Sequence, residues 1–197
     1  MLMKRIVCIL LALSACVSLS AQQRGDKAIS VYAGGAFSNA PYTAVQAAGE
    51  FNYFVADNFR LSFAVGVPFT SATVVDNLKQ NTFGVYFNPN IAYYVKLADR
   101  FYLTPELGGG YELGSFKQTY TSTSSVLVNG KYNGYYIYFT PLQIEFKVNS
   151  HFAIGVAIGE FYYENFKYKD SSNQIVDKSD TFSFMLNAGN VCCRFYL

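Results

Sequence analysis

Seven charged residues are the side chains of this sequence with the most capacity for chemistry. The acidic ones are Glu50, Glu106, Glu112 and Glu145, and the basic ones are Arg60, Lys147 and Arg194. Paired carboxylates can act as general acid and general base. Each of the seven, however, lies in a stretch where apolar residues alternate with polar or small ones. A buried charge must be paired because an isolated one is very costly. We therefore expect a neutralising charge network and no catalytic residue.

Other motifs that could do chemistry are weak. His151 follows Ser150 in the segment "NSH", which we interpret as a polar turn and not as a nucleophilic pair. Cys192 and Cys193 are adjacent, so on a strand their side chains point to opposite faces. Cysteine and histidine do not occur here at zinc-binding spacings. The sequence therefore predicts no metal, no cofactor and no enzymatic activity.

The first 21 residues resemble an export signal. Lys4 and Arg5 precede the apolar run "IVCILLAL", and small residues lead to an expected cleavage after Ala21. We expect a single mature domain over residues 22–197. An alternative is lipoprotein processing at Cys16, which ends the segment "LSAC". The signal carries two of the 15 basic residues and none of the 13 acidic ones, so the mature chain has no net charge. A neutral chain gives no argument for nucleic acid as a partner.

Hydrophobic residues recur with period two, which is typical of β-strands. In "FRLSFAVGVPF", six apolar side chains from Phe59 to Phe69 fall on one face, and Arg60 falls on the other. The pattern predicts eight strands, over residues 28–37, 44–54, 59–69, 83–95, 101–113, 135–148, 152–163 and 181–197. Each is long enough to cross a bilayer as a tilted β-strand.

The predicted connections alternate between short and long. "VADN", "KLADR" and "NSH" are tight turns, whereas residues 70–82, 114–134 and 164–180 read as long polar loops. Short turns on one side and long loops on the other are typical of outer-membrane barrels. This interpretation places both termini in the periplasm.

Aromatic residues make up 18% of the chain and cluster near both ends of the predicted strands, with aliphatic residues and glycine between them. Two aromatic girdles around an aliphatic band match the two interfaces of a bilayer. The apolar strand face is then expected to contact lipid, and the charged face to line the interior. Prolines within strands, and a shift of the apolar pattern near Gly189 and Asn190, predict local bulges.

On these features the chain resembles the small eight-stranded outer-membrane β-barrels of the OmpA and OmpX type and the wider porin-like barrel family. The resemblance covers nearly all of residues 27–197 and rests on architecture. It implies an all-β, eight-stranded, antiparallel, up-and-down transmembrane barrel with short periplasmic turns and long extracellular loops. In that family the last strand ends in an alternating apolar pattern that the outer-membrane barrel assembly machinery reads. The matching residues here are Val191, Cys193, Phe195 and Leu197, with Leu197 replacing the usual terminal phenylalanine.

The resulting functional hypothesis is a monomeric, non-enzymatic outer-membrane protein that acts through its extracellular loops. Its expected partners are membrane lipids and lipopolysaccharide, the assembly machinery, and an extracellular protein or glycan. One alternative is a narrow channel for small solutes. Another is a lipidated soluble barrel of lipocalin type, which would need an inward apolar face.

Overall fold

The computed structural model of the protein describes residues 22–38, 42–75, 77–185 and 190–197, and β-strands account for most of them. No helix in these ranges is long and apolar enough to cross a membrane. The strands are β1 (Lys27–Ser38), β2 (Tyr42–Ala56), β3 (Phe59–Val75), β4 (Leu78–Tyr93), β5 (Val95–Ala98), β6 (Phe101–Leu103), β7 (Glu106–Tyr120), β8 (Val126–Thr140), β9 (Gln143–Lys147), β10 (Phe152–Ala157), β11 (Glu160–Asp170), β12 (Ile175–Met185) and β13 (Asn190–Tyr196).

All thirteen strands belong to one antiparallel sheet. Chain neighbours pair as hairpins, for example β2 with β3 and β7 with β8. β1 pairs with both β2 and β13, so Ile29 lies opposite Phe51 on one side and Phe195 on the other. β1 therefore joins the first and last strands of the chain within one sheet, and the predicted antiparallel up-and-down β class is confirmed.

The sheet has thirteen strands where the sequence predicts eight, and short breaks separate several strands that follow one another along the chain. Tyr94 separates β4 from β5, and Thr104 and Pro105 separate β6 from β7. Pro141 and Leu142 lie between β8 and β9, and Ile158 and Gly159 between β10 and β11. Proline has no N–H to donate to a ladder, and glycine weakens a strand, so two of the breaks begin or end at a proline and one at a glycine.

All three predicted long loops are wrong. Residues 114–134 form the upper parts of β7 and β8, which are joined by a short turn at 121–125. Residues 164–180 form most of the β11–β12 hairpin, with a turn at 171–174. The third, 70–82, holds the ends of β3 and β4. Serine, threonine and lysine alternate there between two solvated faces, and the polar composition concealed the strands.

The two faces of the sheet differ in chemistry. Large apolar side chains alternate outward along the strands, such as Phe63, Val65 and Val67 on β3, each at least 42% exposed. The inward positions between them carry small or polar residues. The apolar strand face therefore points outward, as the alternation of the sequence predicts, and the polar face lines the interior.

Some aromatic residues near the strand ends, where the girdles are expected, point inward instead. Phe54, Tyr94, Tyr102 and Tyr196 are buried together at the end of the sheet that carries the short turns. Tyr136 is buried in a second cluster nearer the long hairpins. Adjacent aromatics on a strand, such as Tyr93 and Tyr94, must take opposite sides, which composition alone does not reveal.

The proline bulges are also wrong at two positions. Pro68 and Pro89 lie inside β3 and β4, and the register does not shift at either. Each proline keeps a partner on one neighbouring strand, Gln46 and Phe63 respectively, and is skipped by the ladder on the other side. A bulge needs an extra residue on one strand, whereas proline only lacks the N–H that would donate one backbone hydrogen bond to the neighbouring strand. The bulge expected at Gly189 lies outside the described residues.

Candidate functional site: the polar interior

Two arginines form the centre of the interior. Arg60 on β3 and Arg194 on β13 have side chains that are 0% and 1% exposed. Arg60 Nη2 lies 2.5 Å from Glu106 Oε2 on β7. Arg194 forms ion pairs with Glu145 on β9 and, at 3.8 Å, with Glu50 on β2. Three of the predicted carboxylates and two of the predicted cations therefore lie within one contact network.

Tyr94 links the two arginines. Its hydroxyl accepts hydrogen bonds from Arg60 Nη1 at 3.1 Å and Arg194 Nη1 at 2.5 Å. The same hydroxyl lies 3.2 Å from Glu145 Oε2 and can donate to it. Tyr94 follows Asn90 and Ala92 at alternate positions, and all three side chains are buried. The alternation of β4, continued by one residue past its end, thus places a phenol between two buried guanidinium groups.

Neutral polar side chains complete the network. Asn90 donates to Glu50 at 2.8 Å, and Tyr32 donates to the other oxygen of Glu50 at 2.7 Å. Arg194 Nε donates to Ser30, which also accepts from Asn52. Buried ion pairs are tolerated when such hydrogen bonds satisfy the remaining polar atoms.

The aromatic cluster of Phe54, Tyr94, Tyr102 and Tyr196 packs below the network, on the side of the short turns. Tyr196 donates to Glu145 Oε1 at 2.5 Å. The ammonium group of Lys147 lies over the rings of Tyr196 and Tyr102, at 4.6 and 5.5 Å from their centroids. Lys147 is therefore at the lower boundary of the network and contacts aromatic faces.

Glu112 lies apart from this network. It is half-buried nearer the long hairpins and accepts a hydrogen bond from Tyr132 at 2.6 Å. It lines a cavity of about 470 Å³ together with Glu160, Glu164 and Tyr162. The sequence grouped Glu112 with the other carboxylates because all share a strand face. It could not show that Glu112 is at a different height.

Tyrosines fill much of the interior, and sequence reasoning missed this. The rings of Tyr86 and Tyr138 occupy the space beside Gly66 and Gly108, where a Cβ atom would overlap them. A sequence signal for this packing exists: an inward glycine on one strand lies directly opposite a tyrosine on the neighbouring strand, as Gly66 lies opposite Tyr86.

The C-terminal residues take alternate faces of β13. Val191, Phe195 and Leu197 are exposed on the outer face, and Cys193 is half-buried beside Val31 of β1. Arg194 points inward between them. Recognition of these residues by an assembly machinery remains a prediction, and the lipidation candidate Cys16 lies outside the described residues.

Ser150 and His151 are the one Ser–His pair that approaches reactive geometry in the described ranges. Ser150 Oγ lies 2.8 Å from His151 Nδ1, and both residues are exposed. The nearby Asp26 carboxylate accepts instead from the backbone N–H of Gln23 at 2.9 Å. No cluster of three potential metal ligands occurs among the described residues.

The chain is similar to solved outer-membrane β-barrel proteins. One is a major outer membrane protein from Thermus thermophilus, with 13% identity, a TM-score of 0.46, and coverage of 87% of this chain and 99% of that one. The second is Ail, the attachment invasion locus protein of Yersinia pestis, with 9% identity, a TM-score of 0.44, and coverage of 88% and 96%. The third is the outer membrane protein OprG of Pseudomonas aeruginosa, with 10% identity, a TM-score of 0.42, and coverage of 91% and 99%.

No protein-family model and no curated protein matches the chain. The structural similarities are too low to carry a conclusion about activity or ligand, so any functional conclusion must come from the chain's own geometry.

Proposed function

We propose that this chain is an integral outer-membrane β-barrel whose interior is closed by the Arg60–Tyr94–Arg194 network. The observation that carries the proposal is the inversion of a soluble protein's pattern. Charged residues such as Arg60 and Glu145 are fully buried, while many of the largest apolar side chains face outward. A polar interior with an outward apolar band is the arrangement that lipid requires of a barrel.

The barrel we propose has eight continuous strands. Three strands, β1, β2 and β3, are uninterrupted, and the other ten form five pairs that follow one another along the chain. Joining each pair across its break gives eight. Closure is supported by the pairing of β13 with β1 on one side and β10 on the other. A closed sheet leaves no unpaired edge in lipid.

We assign the short turns to the periplasm, with both termini on that side. Asp57 and Asn58 join β2 to β3, and Asp99 and Arg100 join β5 to β6. The backbone N–H of Leu197 donates to the carbonyl of Lys27, so both ends of the described chain lie at this edge. Export by the signal over residues 1–21 and insertion by the barrel assembly machinery are part of the same proposal.

The proposed role is non-enzymatic, with a monomeric barrel presenting its long hairpins to lipopolysaccharide and to an extracellular protein or glycan. A narrow channel is the second candidate, because the cavity of about 470 Å³ extends toward the hairpin end. The buried network and the aromatic cluster below it oppose conduction. A lipocalin-type role has less support, since the interior is polar where an apolar ligand needs an apolar wall.

Two measurements test the proposal. On a gel, the folded membrane fraction should migrate differently before and after boiling. In a planar bilayer, the purified protein should show almost no steady conductance. A chain 22–197 that is soluble and monomeric without detergent would overturn the membrane assignment. A large, stable open channel would overturn the closed interior and favour the second candidate.

A further inference from the structure

Six lysines form a continuous row on the outer face of the long hairpins. They are Lys79 on β4, Lys117 on β7, Lys131 on β8, Lys167 and Lys169 on β11, and Lys178 on β12. All but the half-buried Lys169 are exposed. The sequence pattern had placed all six in solvated loops, so their common face was hidden. We call this set the lysine row.

The strand register makes the row continuous. Lys131 lies directly opposite Lys169, and Lys167 lies directly opposite Lys178. Lys117 is two residues from the partner of Lys131, and Lys79 is two residues from the partner of Lys117. Directly opposed and diagonal residues on neighbouring strands are about 5 to 8 Å apart. The six lysine positions therefore follow one line across five adjacent strands.

Five of the six lysines keep a constant height above the apolar band, and Lys169 lies two residues further out. Lys79 is four residues from Phe83, Lys117 from Leu113, Lys131 from Tyr135, Lys167 from Tyr163 and Lys178 from Phe182. Four strand residues span about 13 Å. With a tilt of 35–45°, this corresponds to about 10 Å along the membrane normal. The lysine row thus lies at the expected depth of lipid headgroups, just outside the hydrocarbon region.

The charges of the row are poorly balanced within the chain. Lysines directly opposite one another on a sheet repel unless an anion lies between them. No ion pair of these six lysines occurs among the described residues; the ion pairs present there involve Arg60, Arg194 and Lys96. Three aspartates, Asp170, Asp177 and Asp180, lie on the same hairpin, which leaves the row positive.

From this arrangement we propose that the lysine row binds the phosphate groups of the outer-leaflet lipid, with the pairs Lys131–Lys169 and Lys167–Lys178 at its centre. The inference rests on the proposed membrane topology. A line of cations parallel to the bilayer plane fits a layer of headgroup phosphates better than it fits the surface of a protein partner. The outer ends of β2 and β3 carry no lysine in the described residues, so the contact of lysines with lipid phosphates is confined to one side of the barrel.

The test compares two variants of the full chain, expressed with its signal and purified in non-ionic detergent. The first, K131Q/K167Q/K169Q/K178Q, removes the centre of the row. The matched control, K27Q/K96Q, removes two lysines from the opposite end of the barrel. Fluorescent lipopolysaccharide is the probe, and enzymatically dephosphorylated lipopolysaccharide and inorganic phosphate are the comparison ligands.

We expect the four-lysine variant to bind lipopolysaccharide several hundredfold more weakly, since each of the four lysines near an anionic surface contributes about fivefold. The control should stay within about twofold of the native chain. Dephosphorylated lipid should bind the native chain as weakly as intact lipid binds the four-lysine variant. Raising the salt concentration should weaken binding of the native chain more than that of the variant.

Three results would overturn the inference. Unchanged lipid binding in the four-lysine variant would show that the lysine row does not bind lipid, and would favour an acidic protein as its partner. Equal binding of dephosphorylated lipid would remove the phosphate as the recognised group. Inorganic phosphate bound as tightly as lipopolysaccharide would assign the row to the free ion. Heat-dependent migration of every variant is recorded in parallel, so that failure of the barrel itself is distinguished from failure of lipid binding.

Discussion

The ion pair between Arg60 and Glu106 gives the sharpest test of the closed interior. We consider Glu106→Gln, which keeps the shape of the side chain and removes its charge. Arg60 would then retain Tyr94 at 3.1 Å and Asn90 at 3.4 Å, both neutral. Arg60 Nε is buried without a hydrogen-bond partner in the described structure, and Glu106 is the carboxylate that forms an ion pair with this guanidinium.

The expected cost follows from burial. The side chains of Arg60 and Glu106 are 0% and 8% exposed, so water cannot solvate the charge that remains. Removing one partner of a buried pair costs about 3–5 kcal/mol. The double variant R60M/E106Q removes both charges and should cost about 3 kcal/mol less than the sum of the single variants, the upper range for coupling of neighbouring residues.

Unfolding in urea, measured in detergent micelles, gives these free energies. The chain has no tryptophan, so gel mobility and far-UV circular dichroism are the appropriate signals. Lys96→Gln is the matched control, because Lys96 and Asp99 form an exposed pair at 3.7 Å whose loss should cost less than about 1 kcal/mol. A cost for Glu106→Gln equal to that of the control, or strict additivity of the two single variants, would refute a dry, coupled interior.

Three further predictions address the membrane and the lumen. Val65→Lys should destabilise the barrel by about 2–4 kcal/mol in lipid, because Val65 lies mid-strand on the outer face. The control Ser71→Lys, above the apolar band, should cost about 1 kcal/mol or less. Equal urea midpoints of the two variants in lipid would argue against lipid contact. In a background without the native cysteines, a cysteine at Ser124 should react with an impermeant maleimide on intact cells, and one at Asn149 should not; the reverse labelling would invert the topology. Arg194→Ala should raise bilayer conductance from near zero by opening the network, and an unchanged trace would show that the aromatic cluster alone closes the lumen.

Strand faces could be read from the sequence because side-chain direction in a strand alternates with a period of two. That rule correctly gave Arg60, Glu106 and Glu145 a common inward side, and Phe63 and Val65 the outward side. It failed where composition masked the alternation. The β7–β8 and β11–β12 hairpins have polar residues on both faces above the apolar band, so residues 114–134 and 164–180 looked like loops.

The interior partners could not be read in the same way. Glu112 and Glu106 share an inward face, yet Glu106 pairs with Arg60 while Glu112 accepts from Tyr132. Which carboxylate meets which cation depends on the relative height of strands that are far apart in the chain. Local pattern carries no information on that height, because the stagger between strands arises from pairing around the whole sheet.

The sequence by itself therefore determined which residues form strands across the apolar band, and which face each side chain takes, since both depend on local alternation. Only the tertiary structure decided that Tyr94 bridges Arg60 and Arg194, and that six lysines from separate strands form one row. The reason is physical. Register between strands is a collective property of the wrapped sheet, and contacts across its interior or along its rim exist only once that register is set.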